Sequence, residues 1–509
     1  MYRPNPFGNP DGSRADLKEI EYSFITDFPF GIQINRCQEE LLNKRVIVGA
    51  KGSGKTVYLR KIQSILKHNQ DETKTGIYVD ELIDQNMNCT EKVIAFCDFY
   101  ERDRLSEKWT QAWKVAILMS LSHKILFDPR LSAYIDDEER KAIQKHLKSA
   151  KFLFEDVVSV YQCMSSMLIV SDTVNKMNML LNNLCWIELF NKIQKIIKKL
   201  PPIYFFLDAI DIEYEHSPLH WTSCQKGLFY AIMALLQDYT YGEKLHLIMS
   251  MRDNVFTSIL KSEHATKFSK ESHIFTLDWD ESNIKDFLYR KIDKLDDCYF
   301  VALNDSKTVS SWLGISEIIN ERNETEKIDD FIFRHTRLVP RDIINLCNEL
   351  AKLHEKITNN PNINISEWVK EIVLRESEAI GDELITICAK NIRINTMHKH
   401  VAQYGCSEIY TSDKYFIEGT PAKLVGLLSK YKNLPMTFDM INCLNKTADK
   451  EFDADVHLCD ILWQNGALGF VDNDGKNHFY AQKFHGETLL PKYKNQYTFR
   501  SCINVRMQN

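Results

Sequence analysis

No Cys-x-x-Cys pair occurs among the thirteen cysteines of this 509-residue chain, which excludes a zinc ribbon and a thioredoxin-like redox motif. The cysteines are scattered and odd in number. The stretch Met1 to Asp16, rich in proline, glycine, asparagine and charge, does not read as a secretory leader. Reduced thiols and a cytoplasmic setting are expected. Long apolar runs are missing too. The apolar helix near Phe229–Leu236 falls far short of the roughly 20 residues a membrane span needs, so no membrane partner is expected. Charge of one sign is not in excess: 64 Lys and Arg face 70 Asp and Glu, a formal net charge of −6. That balance neither demands nor excludes nucleic acid, because a basic face can hide in a near-neutral total. No segment repeats with a solenoid period, and no nuclease, protease or deaminase constellation is evident. His216 and His220 have the spacing of a helical metal pair. Pro218 between them argues against a regular helix, so both read as solvated loop histidines. His398 and His400, two residues apart, do not share a helical face.

What is present is ample core material and one specific loop. With 44% hydrophobic residues the chain can bury substantial cores, and its length suits roughly two to four domains. The loop is Gly49-Ala50-Lys51-Gly52-Ser53-Gly54-Lys55-Thr56, which reads G-x-x-x-x-G-K-T. A β-branched run, Lys44–Val48, precedes it, and a run with helical spacing, Val57–Ile62, follows it. Strand, glycine-rich turn and helix are the context a phosphate-binding P-loop needs. Glycines let backbone N–H groups face phosphates, and the helix N-terminus adds positive potential. In that reading Lys55 meets the β and γ phosphates of ATP, and the Thr56 hydroxyl sits on Mg²⁺.

Strand-like runs recur at Lys44–Val48, Gly76–Val79, Val93–Asp98, Ile203–Asp208, Leu245–Ser250 and His273–Leu277, mostly separated by helical patterns. That alternation predicts a mostly parallel α/β sheet. Trp109, Trp113, Ile117 and Leu121 fall on one helical face and read as core. Residues 130–200 carry no strand and read as a helical insertion; within it Asp136-Asp137-Glu138-Glu139 is an acidic helix start, and a helix through Leu184–Leu200 stops at Pro201-Pro202. From about 282 to 395 the pattern is helical throughout, with Ser282 as a candidate cap and helices over Asp329–His335 and Arg341–Lys356. The last stretch changes to helix (Leu458–Trp463), strand (Gly466–Val471), an Asp472-Asn473-Asp474-Gly475 turn, and strand (His478–Ala481). This is the order of a winged helix. The predicted organisation is an N-terminal arm (1–35), a P-loop NTPase core with a parallel sheet and helical insertion (36–281), a helical lid (282–395) and a C-terminal winged-helix-like domain (396–509).

A P-loop needs a carboxylate for the Mg²⁺ shell and a polar group to orient attacking water. Ile203-Tyr204-Phe205-Phe206-Leu207-Asp208 is an apolar strand ending in an acid, the Walker B pattern, which makes Asp208 the metal-shell candidate. Asp211 is the candidate base, with Glu213 in reserve. The strand Leu245–Ser250 is expected to lie between the P-loop strand and the Walker B strand, with Arg252 or Ser250 as the sensor at its end. The alternative for Arg252 is a surface ion pair with Asp253. Arg341, at the start of a helix, is a candidate second sensor or a locally paired arginine. Lys492, Lys494 and Arg500 interleave with Tyr493, Tyr497 and Phe499, either a nucleic-acid face or a solvated surface.

GAKGSGKT, FFLDAID, LIMSMRDNVF, LDWDESNIKDFLYRKI and RLVPRDIINLC, in that order, resemble the bacterial P-loop ATPases of the STAND and KAP type, in the AAA-like branch. The resemblance implies an ATP-dependent regulatory switch, often found in phage-defence loci, acting through self-association or a separate effector. No large repeat sensor and no inserted membrane helices are present. The helical lid followed by a winged helix also looks like the origin-recognition ATPases, for which DNA would be the partner. A third reading is a nucleotide-binding scaffold with little hydrolysis.

Overall fold

A computed structural model describes residues 4–16, 45–73, 76–81, 89–208, 218–260, 268, 272–302, 306–404, 419–453, 455–479 and 489–508. It divides into two compact units, one of residues 38–48 and 58–275, the other of residues 1–37, 49–57 and 276–509. Among the described residues no helix is long and apolar enough to cross a membrane.

The first unit is built on a five-stranded parallel sheet of β1 (Val46–Gly49), β2 (Tyr78–Val79), β3 (Ile203–Leu207), β4 (Leu245–Arg252) and β5 (Ile274–Leu277). The order is β2-β3-β4-β1-β5, so β4 lies between β1 and β3 as expected. Ile203 pairs with Leu245 and Leu207 with Met249; Tyr78 pairs with Ile203. Every residue of β3 is buried. Burial on both faces is why a central parallel strand reads as a continuous apolar run rather than an alternating one.

The same ambiguity explains one error. Val93–Asp98, expected as a strand, lies in the helix Thr90–Asp98, which buries Val93, Ile94, Phe96 and Cys97. That spacing is one helical face, and a short apolar run does not by itself distinguish the two states. Between β2 and β3 the chain is helical in every described regular element. Trp109, Trp113, Ile117 and Leu121 of the helix Arg102–Phe127 are all buried. The Trp109 ring lies 4.0 Å from Phe96 by centroids, and the helix Pro218–Gln237 presses Gly227 against its backbone. Asp136 and Glu139 form a reciprocal capping box that starts the helix Asp137–Ser149, so the acidic cluster there is a cap. The helix Leu184–Ile197 ends before Pro201-Pro202.

The second unit holds two cores. The first packs Phe7, Trp312, Phe331, Ile343 and Leu350 with Val369, Ile372 and Val373. Phe7 belongs to the expected polar arm, yet it is buried, packs tilted against Trp312 with ring centroids 4.8 Å apart, and its N–H donates to Asn348 Oδ1 at 3.0 Å. Asp280, not Ser282, caps the helix Glu281–Asp293 by accepting from the Asn283 N–H. The region 282–395 is not purely helical: β6 (Glu317–Ile319) and β7 (Thr325–Lys327) form an antiparallel hairpin. Its turn is shaped by Asn320, whose Oδ1 accepts from the N–H of Arg322 and of Glu324, and by Asn323 at φ 61°. Asparagine tolerates that left-handed conformation best among non-glycine residues.

The second core gathers Leu444, Trp463, Leu468, Tyr497 and Ile503 with Ile380, Leu384, Cys388 and Ile392. The helix Ile365–Tyr404 therefore serves both cores, and it runs without a break through the expected border at 395/396. Helix Leu458–Gln464, β8 (Leu468–Val471), a turn with Gly475 at φ 77° and β9 (Asn477–Phe479) follow the expected order. A third strand, β10 (Gln496–Phe499), pairs with β8 on its other edge.

Candidate functional site

The loop begins where β1 ends. Gly52 and Gly54 have φ of 88° and 95°, a region that side-chain-bearing residues rarely adopt. A Cβ on Gly49 would lie 2.5 Å from Ser53 Oγ, whereas one on Gly54 would meet nothing within 4 Å. Gly49 is thus glycine for closeness and Gly54 for backbone conformation, with open space above it. The Ser53 N–H donates to Ala50 O at 3.2 Å and closes the turn. The Ser53 hydroxyl is buried with no hydrogen-bond partner among the described residues, an orphan that a phosphate oxygen suits. Lys55, buried in the first turn of the helix Lys55–Thr73, donates from Nζ to Gly49 O and Ala50 O at 3.0 Å each. Thr56 follows it, half-buried.

Residues remote in sequence hold this loop. Trp279 Nε1 donates to Ser53 O at 2.9 Å, and its ring packs 5.7 Å from Phe287. The Arg341 N–H donates to Gly52 O at 3.3 Å. Arg341 therefore lies against the loop through its backbone. The neighbouring acid Asp342 is taken by Arg337, through Nη2 at 2.6 Å and Nε at 2.8 Å. Lys51 Nζ pairs with Glu383 Oε1 at 3.0 Å, and Glu383 also accepts from Arg337 at 2.6 Å. Burial pushes the Glu383 carboxyl up, but Arg337 and Lys51 outweigh it and hold it below the ordinary range. Trp279 and Glu383 were not singled out from sequence. Trp279 lies just beyond the end of β5, but a tryptophan there gives no specific signal. Glu383 is far from the loop in the chain and gives none.

Trp279→Phe keeps a ring against Phe287 but removes the donor to Ser53 O together with part of the indole's packing volume. Its expected cost is about 1 kcal/mol, read as a lower midpoint in urea unfolding; an unchanged midpoint would show that the bond contributes nothing.

In the first unit, Asp208 follows β3. Its Oδ1 accepts from the Ser250 hydroxyl, and its carbonyl accepts from Tyr161 OH at 2.5 Å. Of the two sensor candidates on β4, Ser250 bonds to the Asp208 carboxylate. Arg252 is 6% exposed, so its side chain is interior and not on the surface. Asp211, Glu213 and His216 lie outside the described residues. His220 is buried in the first turn of the helix Pro218–Gln237, not in a solvated loop. Pro218 opens that helix, where a missing N–H costs nothing. His398 and His400 fall in the long helix Ile365–Tyr404. Among the described residues no cluster of three or more His, Cys, Asp or Glu is arranged to hold a metal.

The basic and aromatic cluster near the C-terminus divides. Lys492, Tyr493 and Lys494 are exposed, whereas Tyr497, Phe499 and Arg500 are buried. Arg500 donates to Gly466 O at 2.8 Å and Thr336 O at 2.9 Å. Half of the expected face is therefore interior structure.

No family model matches this chain, and no solved structure matches it. It is 20% identical over 385 residues to an 80.3 kDa protein of Escherichia coli (strain K12) named for the gamma-delta transposon. The matched part covers 75% of this chain and 52% of that protein, so the chain spans about half the length of the curated relative it matches.

Proposed function

We propose that this chain is an ATP-binding regulatory switch of the P-loop class that hydrolyses ATP slowly with Mg²⁺ and acts through self-association or a separate effector protein, in a setting such as antiviral defence. The observation that carries the reading is the loop itself: two left-handed glycines flank a buried serine hydroxyl without a partner among the described residues, beside a buried lysine ammonium resting on the loop carbonyls. These groups have the chemistry of a triphosphate cradle. Gly49, Lys51, Gly52, Ser53, Gly54, Lys55 and Thr56 would surround the phosphates, and Thr56 and Asp208 would serve the Mg²⁺. Arg341 and Arg252 are assigned as sensors. The metal would neutralise charge on the transferring phosphoryl group.

Asp211 is assigned as the base that orients water, with Glu213 as the alternative. Asp211→Asn is expected to retain ATP and lose hydrolysis, because the amide keeps the shape but cannot take a proton. Phosphate release, measured beside calorimetric binding, checks it. Normal turnover by Asp211→Asn with none by Glu213→Gln would move the role to Glu213. No saturable heat from the wild-type protein at millimolar ATP with Mg²⁺ would retire nucleotide binding altogether.

The C-terminal unit is read as a winged-helix-like docking or autoinhibitory element. The acidic turn, with Asp474 exposed and Asp472 half-buried against His478, does not suit phosphate contact, and burial of Arg500 weakens the origin-recognition alternative, in which this part binds DNA. The transposon name of the relative fits a chain that meets mobile DNA, which the defence and DNA-binding readings share. The scaffold reading differs only in lacking turnover.

A further inference from the structure

We infer that Glu383 is a latch that ties the glycine-rich loop to the long helix Ile365–Tyr404, and that an anionic ligand in the loop releases this helix by competing for Lys51. The inference rests on the nucleotide reading above and concerns its regulation.

Three successive residues of the helix carry it. Gly381 lies so close to the helix Ser501–Arg506 that a Cβ there would overlap the Cys502 carbonyl and lie 2.8 Å from Arg506 Cβ. Asp382 pairs with Arg506. Glu383 pairs with Lys51 of the loop at 3.0 Å and with Arg337 at 2.6 Å, and Arg337 is anchored by Asp342. The same turn of one helix is therefore packed on the last helix of the C-terminal core and ion-paired to the loop. The two pairings of Glu383 differ in character. Arg337 is 9% exposed with Asp342 as a second partner, so its place is set without Glu383. Lys51 is 29% exposed, and Glu383 is its partner across the fold. Phosphates in the loop attract Lys51 and repel Glu383, so binding works against the latch. Linkage then requires that cutting the latch favours binding to the same degree.

The test uses the full-length protein and measures ATP affinity with Mg²⁺ by calorimetry in the wild type, Glu383→Gln, Lys51→Ala and the double variant. Glu383→Gln is expected to bind ATP roughly fivefold more tightly, the scale of one charge interaction at a partly solvated site. In the Lys51→Ala background that gain disappears, because there is no Lys51 to release. Hydrogen exchange over residues 376–392 is expected to rise in the wild type on adding ATP, and in Lys51→Ala without it. Lys51 is partly exposed, so this variant keeps the test decisive should Glu383→Gln fail to fold. Wild-type binding with equal affinities in wild type and Glu383→Gln, an equal gain in both backgrounds, or unchanged exchange in Lys51→Ala overturns the latch and leaves nucleotide binding standing. Absence of ATP binding by both wild type and Glu383→Gln overturns the nucleotide reading and the latch with it.

Discussion

Lys55→Ala is expected to weaken ATP binding at least about 100-fold, the scale of removing one partner of a desolvated charged contact. Titration of the variant into the millimolar range should give no saturable heat, and ATP should no longer raise its melting temperature. The position explains the size. Lys55 is 7% exposed, with its ammonium held over the loop by Gly49 O and Ala50 O. The other lysine of the loop, Lys51, is ion-paired to Glu383 at 3.0 Å, so drawing it to the phosphates costs that pair and it does not replace Lys55. Folding should be little affected, because the ammonium's contacts to Gly49 O and Ala50 O are to carbonyls of an open turn. An affinity within threefold of wild type would show that the loop is a structural turn rather than a phosphate site.

Gly227→Ala is expected to destabilise the protein by about 3 kcal/mol or more. The added methyl would overlap Trp109 Cβ and stand 2.9 Å from the Trp109 carbonyl carbon and 3.1 Å from the Thr110 nitrogen. Two of these neighbours are backbone, so no rotamer change relieves the clash and the helices Arg102–Phe127 and Pro218–Gln237 must separate. Their interface holds Trp109, Trp113, Trp221 and Cys224, with Trp113 Nε1 donating to Cys224 O at 2.9 Å. For a unit of this size the loss corresponds to a drop of about 10 °C in melting temperature. Calorimetric unfolding checks it, and a melting temperature within a degree of wild type would contradict the packing. The folded fraction should still bind ATP normally, which separates this effect from that of Lys55→Ala.

Much of the α/β architecture was legible because parallel strands buried on both faces leave unbroken apolar runs. Ile203–Leu207 and Leu245–Ser250 were found that way, and β4 occupies its expected place between β1 and β3. The same signal misled at Val93–Asp98, where a short apolar run became a helix whose buried residues face neighbouring helices. The hairpin Glu317–Lys327 was missed for the opposite reason. Its strands are three residues each and mostly exposed, so they carry little hydrophobic pattern, and its signal lay in the asparagines of the turn.

The glycine-rich loop was determined by its own sequence. Its backbone conformation, glycine requirement and lysine placement depend on neighbours within a few residues, and local sterics set them. What surrounds it was decided by tertiary structure alone. Trp279, Arg341 and Glu383 reach the loop across 226 to 332 residues of chain, and no local periodicity encodes such a pairing. The burial of Arg500, which removed it from an expected basic face, likewise follows from where Thr336 and Gly466 present their carbonyls. A charged side chain looks the same in sequence whether it faces water or caps interior carbonyls. Only the packing of distant segments, which sets the solvation of each charge, distinguishes the two.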